Sequence, residues 1–149
     1  TGHRVGGLVA GPEITAEITK GMDCAAICAP AVGQAAALFG LENLAGWKEE
    51  KRQLSLQRLA ALRQALARND LGYELVSAGA FFAYMRHPHH GKGAAEVARR
   101  LADEQNMLCL PGNFFGPGQD SYLRFSFANV EADRMDEIAK RLADGQGEF

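Results

Sequence analysis

At Gly72 the hydrophobic period of this 149-residue chain switches from that of helices to that of strands, and the switch limits what the second half can become. Beyond it, Tyr73 to Ser77 reads as a strand, and Phe81 to Arg86 as another past the break at Gly79. Helical spacing returns from Gly93 to Asn106, where Val97 and Leu101 share a face with Ala94 and Ala98. Met107 to Leu110 reads as a third strand. Pro111 to Asp120, with three glycines and two prolines, reads as a loop. Tyr122 to Ala128 then alternates, with Leu123, Phe125 and Phe127 on one side and Tyr122, Arg124 and Ser126 on the other. A last helix is expected from Asn129 as cap, with Glu131 and Asp133 in its first turn, Met135, Ile138 and Leu142 inward, and its end before Gly145. The order strand, strand, helix, strand, strand, helix predicts an α+β unit, a layer of mostly antiparallel sheet with helices on one face.

Ahead of Gly72 the text is helical. Arg4 to Ala10 is short, apolar and glycine-bearing and predicts a strand that stops at Gly11-Pro12. From Pro12 to Gly40 two short helices are expected, with an irregular joint from Cys28 to Pro30. Asn43 to Asn69 reads as one long helix, in which Leu59, Leu62 and Leu66 form a stripe that Arg58, Arg63 and Arg68 avoid. Such a helix can bridge two bodies.

With 47% hydrophobic and 23% charged residues, the chain has the composition of an ordinary globular domain, which excludes whole-chain disorder. Its 16 Lys and Arg against 18 Asp and Glu leave a formal charge of -2, no field to gather nucleic acid or anionic lipid. No apolar run approaches the roughly 20 residues of a bilayer span, and the first residues lack the basic-then-apolar pattern of a signal peptide. Three cysteines, an odd number, point to free thiols in a reducing compartment. A soluble, cytoplasmic protein is the expectation. The chain opens at Thr1 rather than Met, so an upstream segment is expected to have been cut away.

Arg124 is the first candidate for chemistry. A guanidinium on the strand face opposite Leu123, Phe125 and Phe127 leaves the sheet away from the core. If that side borders a cleft, it offers a planar fork matched to a carboxylate. The plainer alternative is a solvated arginine on an exposed sheet. The preceding Pro111-Gly112-Asn113-Phe114-Phe115-Gly116-Pro117-Gly118 allows backbone to approach a ligand closely. Arg4, at the head of a glycine-rich segment, suits a phosphate or is simply a surface arginine near a terminus. His87-Pro88-His89-His90 could ligate a metal, but no carboxylate or cysteine joins it at ligand spacing, and an exposed turn is expected instead. No metal site is assigned. Cys24 and Cys28, one helical turn apart, are read as packing residues. No nucleophile elbow or Walker-type loop is present.

Taken in order, Thr1-Gly2-His3-Arg4-Val5-Gly6-Gly7, Cys28-Ala29-Pro30-Ala31-Val32-Gly33-Gln34-Ala35-Ala36, Gly79-Ala80-Phe81-Phe82-Ala83-Tyr84 and Pro111-Gly112-Asn113-Phe114-Phe115-Gly116 leading to Leu123-Arg124-Phe125-Ser126-Phe127-Ala128 form a set. The set resembles the C-terminal part of a class I/II, fold-type-I aminotransferase, a family that uses pyridoxal 5'-phosphate. The resemblance covers essentially the whole chain.

It implies that Arg4 binds the cofactor phosphate, that Arg124 grips the substrate α-carboxylate, and that Asn113 and its neighbouring backbone line the substrate mouth. It implies that residues 1–45 are the trailing part of a large α/β cofactor domain. Residues 46–149 are then the connecting helix and C-terminal small domain, and the parent is a homodimer acting on amino acids and 2-oxo acids. The family's Schiff-base lysine stands farther upstream of the phosphate arginine than Thr1. Lys20, Lys48, Lys51, Lys92 and Lys140 do not occupy its context, so no catalytic residue is assigned and the chain alone is expected to be inactive. Two other readings stay open. One is a free-standing α+β module binding a small carboxylate. The other is an assembly piece, associating through Leu8, Val9 and the 35–38 stretch.

Overall fold

The computed structural model describes residues 2–67 and 71–147. Thr1, Arg68 and Asn69, which figured in the readings above, lie outside the described residues. The chain divides into two compact units, Thr1–Glu50 and Lys51–Phe149.

The first unit opens with an irregular segment and continues through helix α1 (Pro12–Ala25), helix α2 (Ala31–Asn43) and the start of α3 (Ala45–Leu66). Pro12 sits at the first helical position of α1, where its missing N–H costs nothing. The two helices and their joint fall where the proline spacing placed them. The strand expected from Arg4 to Ala10 does not form, because a strand needs a ladder partner and no other strand lies among the described residues of this unit. Burial here is sparse. Gly33 is the one buried residue of α2, and α1 has none. Leu8, Val9, Ile14, Ile27, Val32, Phe39 and Leu41 are all exposed. Cys24 and Cys28 are exposed too, so the packing role read for them fails.

The second unit carries the core. Strands β1 (Glu74–Gly79), β2 (Phe82–Arg86), β3 (Leu110–Pro111) and β4 (Tyr122–Ser126) form one sheet in the order β1-β2-β4-β3, with every neighbour antiparallel. Helices α4 (Ala94–Gln105) and α5 (Met135–Asp144) belong to the same layer. The faces that period and spacing assigned are the buried ones. Ala94, Val97, Ala98 and Leu101 of α4 join Met85, Leu123, Phe127, Met135 and Leu142 in the core, and Phe125 and Ile138 pack against it. Leu62 and Leu66 enter the same cluster from α3, with Leu59 beside it.

Four local readings change. The strand at Met107 to Leu110 shrinks to Leu110–Pro111. Asn106 adopts a left-handed conformation that caps α4 and turns the chain, and pairing with β4 begins only at Leu110. Asn129 does not cap the last helix. A 3-10 turn, Ala132–Arg134, precedes α5, with Arg134 at the N-cap position. Arg58, read as lying off the leucine stripe, is not thereby turned to solvent. Its side chain is only 12% exposed, donating to the carbonyl of Ala128 and pairing with Glu131. His87 is buried rather than part of an exposed turn. Its backbone N–H donates to Ser121 O, and its Nε2 lies 3.3 Å from Asp120 O.

Candidate substrate-carboxylate site

Antiparallel pairing places Tyr84 of β2 opposite Arg124 of β4, Phe82 opposite Ser126 and Arg86 opposite Tyr122. Since side chains alternate along a strand, Phe82, Tyr84, Arg86, Tyr122, Arg124 and Ser126 share the sheet face turned away from the core. Two kinds of group occupy that face. Tyr84 and Tyr122 stack with ring centroids 5.4 Å apart, and the Arg86 guanidinium lies 5.3 Å from the Tyr122 centroid. Arg86 is held further by Glu74 at 2.9 Å and by the Tyr122 hydroxyl at 3.0 Å.

Arg124 is held differently. Its Cζ lies 4.2 Å from the centroid of Phe82 and 4.3 Å from that of Phe115, and it has no hydrogen bond or ion pair among the described residues. The contrast is with five other arginines, Arg58, Arg86, Arg100, Arg134 and Arg141, each of which meets a glutamate. Half-buried Arg124 also lines a cavity of about 580 Å³, together with Phe82, Leu110, Phe125 and Ser126. A partly desolvated guanidinium without a counter-ion among the described residues, beside open space, has the chemistry to receive an anion.

The loop before β4 supplies the second ring. After Pro111 the chain makes a 3-10 turn, Gly112–Phe115, that carries Phe115 to Arg124. Gly112 permits the close approach. A Cβ there would stand 2.7 Å from Tyr84 Oη and 2.8 Å from Tyr122 O, and closer still to the carbonyl of Gln119. The far end of the loop is tied down by Asp120, whose main-chain oxygen accepts from Ala94 N–H at 2.8 Å and whose Oδ1 accepts from it at 3.1 Å. Tyr84 Oη donates to Gln119 Oε1 at 2.9 Å, and desolvation, then the neighbouring Tyr122, raises the pKa of its phenol.

The sequence-predicted residues therefore part company. Arg124 stands unpaired on the outer sheet face. Asn113 is exposed at the head of the same turn, and its amide nitrogen lies 3.4 Å from Asp120 Oδ1, a contact with the loop itself. Arg4 lies in the other unit. It is exposed and takes a left-handed conformation at φ 50°, uncommon for a residue with a side chain. Buried Gly33 lets its segment lie close, since a Cβ on Gly33 would stand 2.6 Å from His3 O. Nothing lies within 4 Å of a Cβ built on Gly6 or Gly7. An exposed guanidinium without an acidic partner among the described residues, next to open glycine backbone, has the chemistry to take a phosphate.

Phe82 and Phe115 were missed by sequence reasoning. The signal for Phe82 was present, because period-2 spacing puts it on the face of Tyr84 and Arg86, and pairing β2 with β4 brings that face to Arg124. Phe115 had no such signal, since a loop residue's direction is set by the turn.

Among known proteins, the family profile for Aminotransferase class I and II matches residues 1–142. The chain is 30% identical over 143 residues to the putative aminotransferase YugH of Bacillus subtilis, covering 95% of this chain and 36% of that protein. It is 30% identical over 131 residues to the aromatic aminotransferase ISS1 of Arabidopsis thaliana, covering 87% and 32%. A Methanococcus jannaschii structure, described as similar in its active site to kynurenine aminotransferases, superposes with a TM-score of 0.68 at 25% identity, over 91% of this chain and 36% of that one. An archaeal alanine:glyoxylate aminotransferase shares the fold with a TM-score of 0.77 at 21% identity, over 99% and 38%. The chain thus spans about a third of the length of the relatives it matches, and it belongs to the class I and II aminotransferase family.

Proposed function

We propose that these residues are the C-terminal part of a pyridoxal-phosphate aminotransferase that moves an amino group between an α-amino acid and a 2-oxo acid. The observation that carries the proposal is Arg124. Its guanidinium, flanked by two phenyl rings and unmatched by any carboxylate among the described residues, has the chemistry to receive one from a substrate.

Pyridoxal 5'-phosphate is the cofactor of this family, and when bound it supplies the electron sink that makes an amino acid's α-proton removable. In this chain Arg4 holds its phosphate and Arg124 takes the α-carboxylate of the amino donor, then that of the 2-oxo acceptor. Fixing the carboxylate orients the rest of the substrate, which converts binding into rate. Asn113 lines the mouth of the same site. Residues 1–45 are the trailing part of the cofactor domain and 46–149 the connecting helix and small domain, in a parent that is homodimeric and cytoplasmic.

The amine that would hold the cofactor and act as general base would come from a part of the parent that precedes Arg4, so the 149-residue chain by itself is expected to be inactive. A transaminase assay with pyridoxal phosphate, amino acids and 2-oxo acids tests both halves. The parent polypeptide turns over and the isolated chain stays at the cofactor-only blank. Turnover by the isolated chain overturns the division of labour.

A second reading, a free-standing module that binds a small carboxylate, draws on the closed core of the second unit. Calorimetric titration separates the two, because a module saturates with dicarboxylates at micromolar concentration and loses this in Arg124→Ala.

A further inference from the structure

We propose that Phe82 and Phe115 are positioning residues for the carboxylate-binding step, holding the Arg124 guanidinium by its flat surface so that its N–H edge faces an incoming carboxylate. This inference rests on Arg124 being the carboxylate site.

The argument begins with what an unpaired arginine does. A guanidinium on four rotatable bonds samples many rotamers unless something fixes it, and ordering it on binding opposes affinity. At several other arginines glutamates do the fixing, as Glu74 does for Arg86 and Glu137 for Arg134 and Arg141. At the substrate position a glutamate would compete with the substrate itself. Aromatic rings avoid the conflict. They attract the cation through the ring face and accept no strong hydrogen bond, so the in-plane donors stay available.

The two rings arrive from independent elements, which makes the arrangement a built one. Phe82 comes from β2, diagonal to Arg124 across the ladder, since its direct partner there is Ser126. Phe115 comes from the 3-10 turn, whose approach depends on Gly112. Both rings keep substantial exposure, 40% for Phe82 and 46% for Phe115, so core packing does not account for their placement.

The test uses the 149-residue chain labelled with nitrogen-15, sodium acetate as the carboxylate probe at constant ionic strength, and the arginine Nε–H resonances as readout. In the wild type the Arg124 side-chain protons resonate upfield of the other arginines, shifted by the ring currents of Phe82 and Phe115. Acetate moves the Arg124 resonance with a midpoint on the order of 10 mM, as expected for one exposed bidentate pair.

Phe115→Leu and Phe82→Leu each raise that midpoint about threefold to tenfold, the worth of one cation–π contact with the ordering it provides. Phe115→Tyr, which keeps the ring, stays within about twofold. Leucine variants that bind acetate like the wild type overturn the inference while leaving Arg124 as the site. Random-coil shifts for the Arg124 side chain in the wild type overturn it as well, without any variant. A wild-type Arg124 that does not respond to acetate removes the carboxylate reading itself.

Discussion

Alanine at position 112 would place its methyl carbon 2.7 Å from Tyr84 Oη, 2.8 Å from the carbonyl oxygen of Tyr122, and nearer still to the carbonyl oxygen of Gln119. The hydroxyl can rotate away, but the two carbonyls belong to the backbone at the end of the loop and the start of β4. The 3-10 turn must therefore move. Overpacking of this kind costs about 1–3 kcal/mol where side chains can adjust, and the rigid backbone on two sides puts Gly112→Ala at about 3 kcal/mol. Gly118 is the control, because it sits at φ 73° with nothing within 4 Å of a Cβ, so Gly118→Ala carries only backbone strain. That strain is worth about 1 kcal/mol. Urea unfolding followed by circular dichroism reads both. With a slope of about 1–2 kcal/mol per molar urea, Gly112→Ala lowers the midpoint by about 1.5–3 M and Gly118→Ala by well under half of that. Equal midpoints for the two variants refute the close-approach argument. In the same Gly112→Ala sample, the upfield shift of the Arg124 side-chain protons shrinks, because the turn that carries Phe115 has moved.

Leu123 is fully buried in the central strand β4, and Leu123→Ala costs about 3 kcal/mol in the same urea assay; a loss under about 1 kcal/mol contradicts the core assignment. Burial pushes the Cys109 thiol up to about 12 while Cys24 and Cys28 are exposed, so a disulfide reagent at pH 8 labels those two in the native chain. Cys109 reacts only after denaturation; fast native labelling of Cys109 contradicts its burial. Desolvation lowers the pKa of His87 and takes that of His89 down to about 4, so folding disfavours their protonated forms. The unfolded chain then binds protons that the fold refuses, so stability is flat above about pH 7 and falls as pH drops from about 6.5 towards 4. Allowing for the partial exposure of His89, the loss is on the order of 1–2 kcal/mol. His89→Gln flattens the slope of urea midpoint against pH, and an unchanged slope contradicts the assignment.

Where local periodicity and burial agree, the sequence was readable. The alternation at Leu123, Phe125 and Phe127 and the helical stripes of α4 and α5 each have one apolar face, and each found the same core. Where an element depends on a partner, reading failed. Arg4 to Ala10 has a strand's composition but no ladder to join, and Met107 to Cys109 lies ahead of the point where β3 meets β4. Long side chains defeated spacing in another way. Arg58 lies off its leucine stripe, yet its reach brings the guanidinium to Ala128 and Glu131, 70 and 73 positions along the chain. At the candidate site, alternation was enough to turn Arg124 out of the core. The same alternation carried the signal for Phe82, but Phe115 was not legible, because the turn that delivers it is set by tertiary contacts at Gly112 and Asp120.

The carboxylate role of Arg124 is tested most directly by steady-state kinetics of the parent holoenzyme carrying Arg124→Lys. Lysine keeps the charge but loses the planar fork, so the account predicts a fall in kcat/KM for both amino acid and 2-oxo acid of about 100-fold, with pyridoxal phosphate affinity unchanged. A kcat/KM within about twofold of the wild type would contradict it.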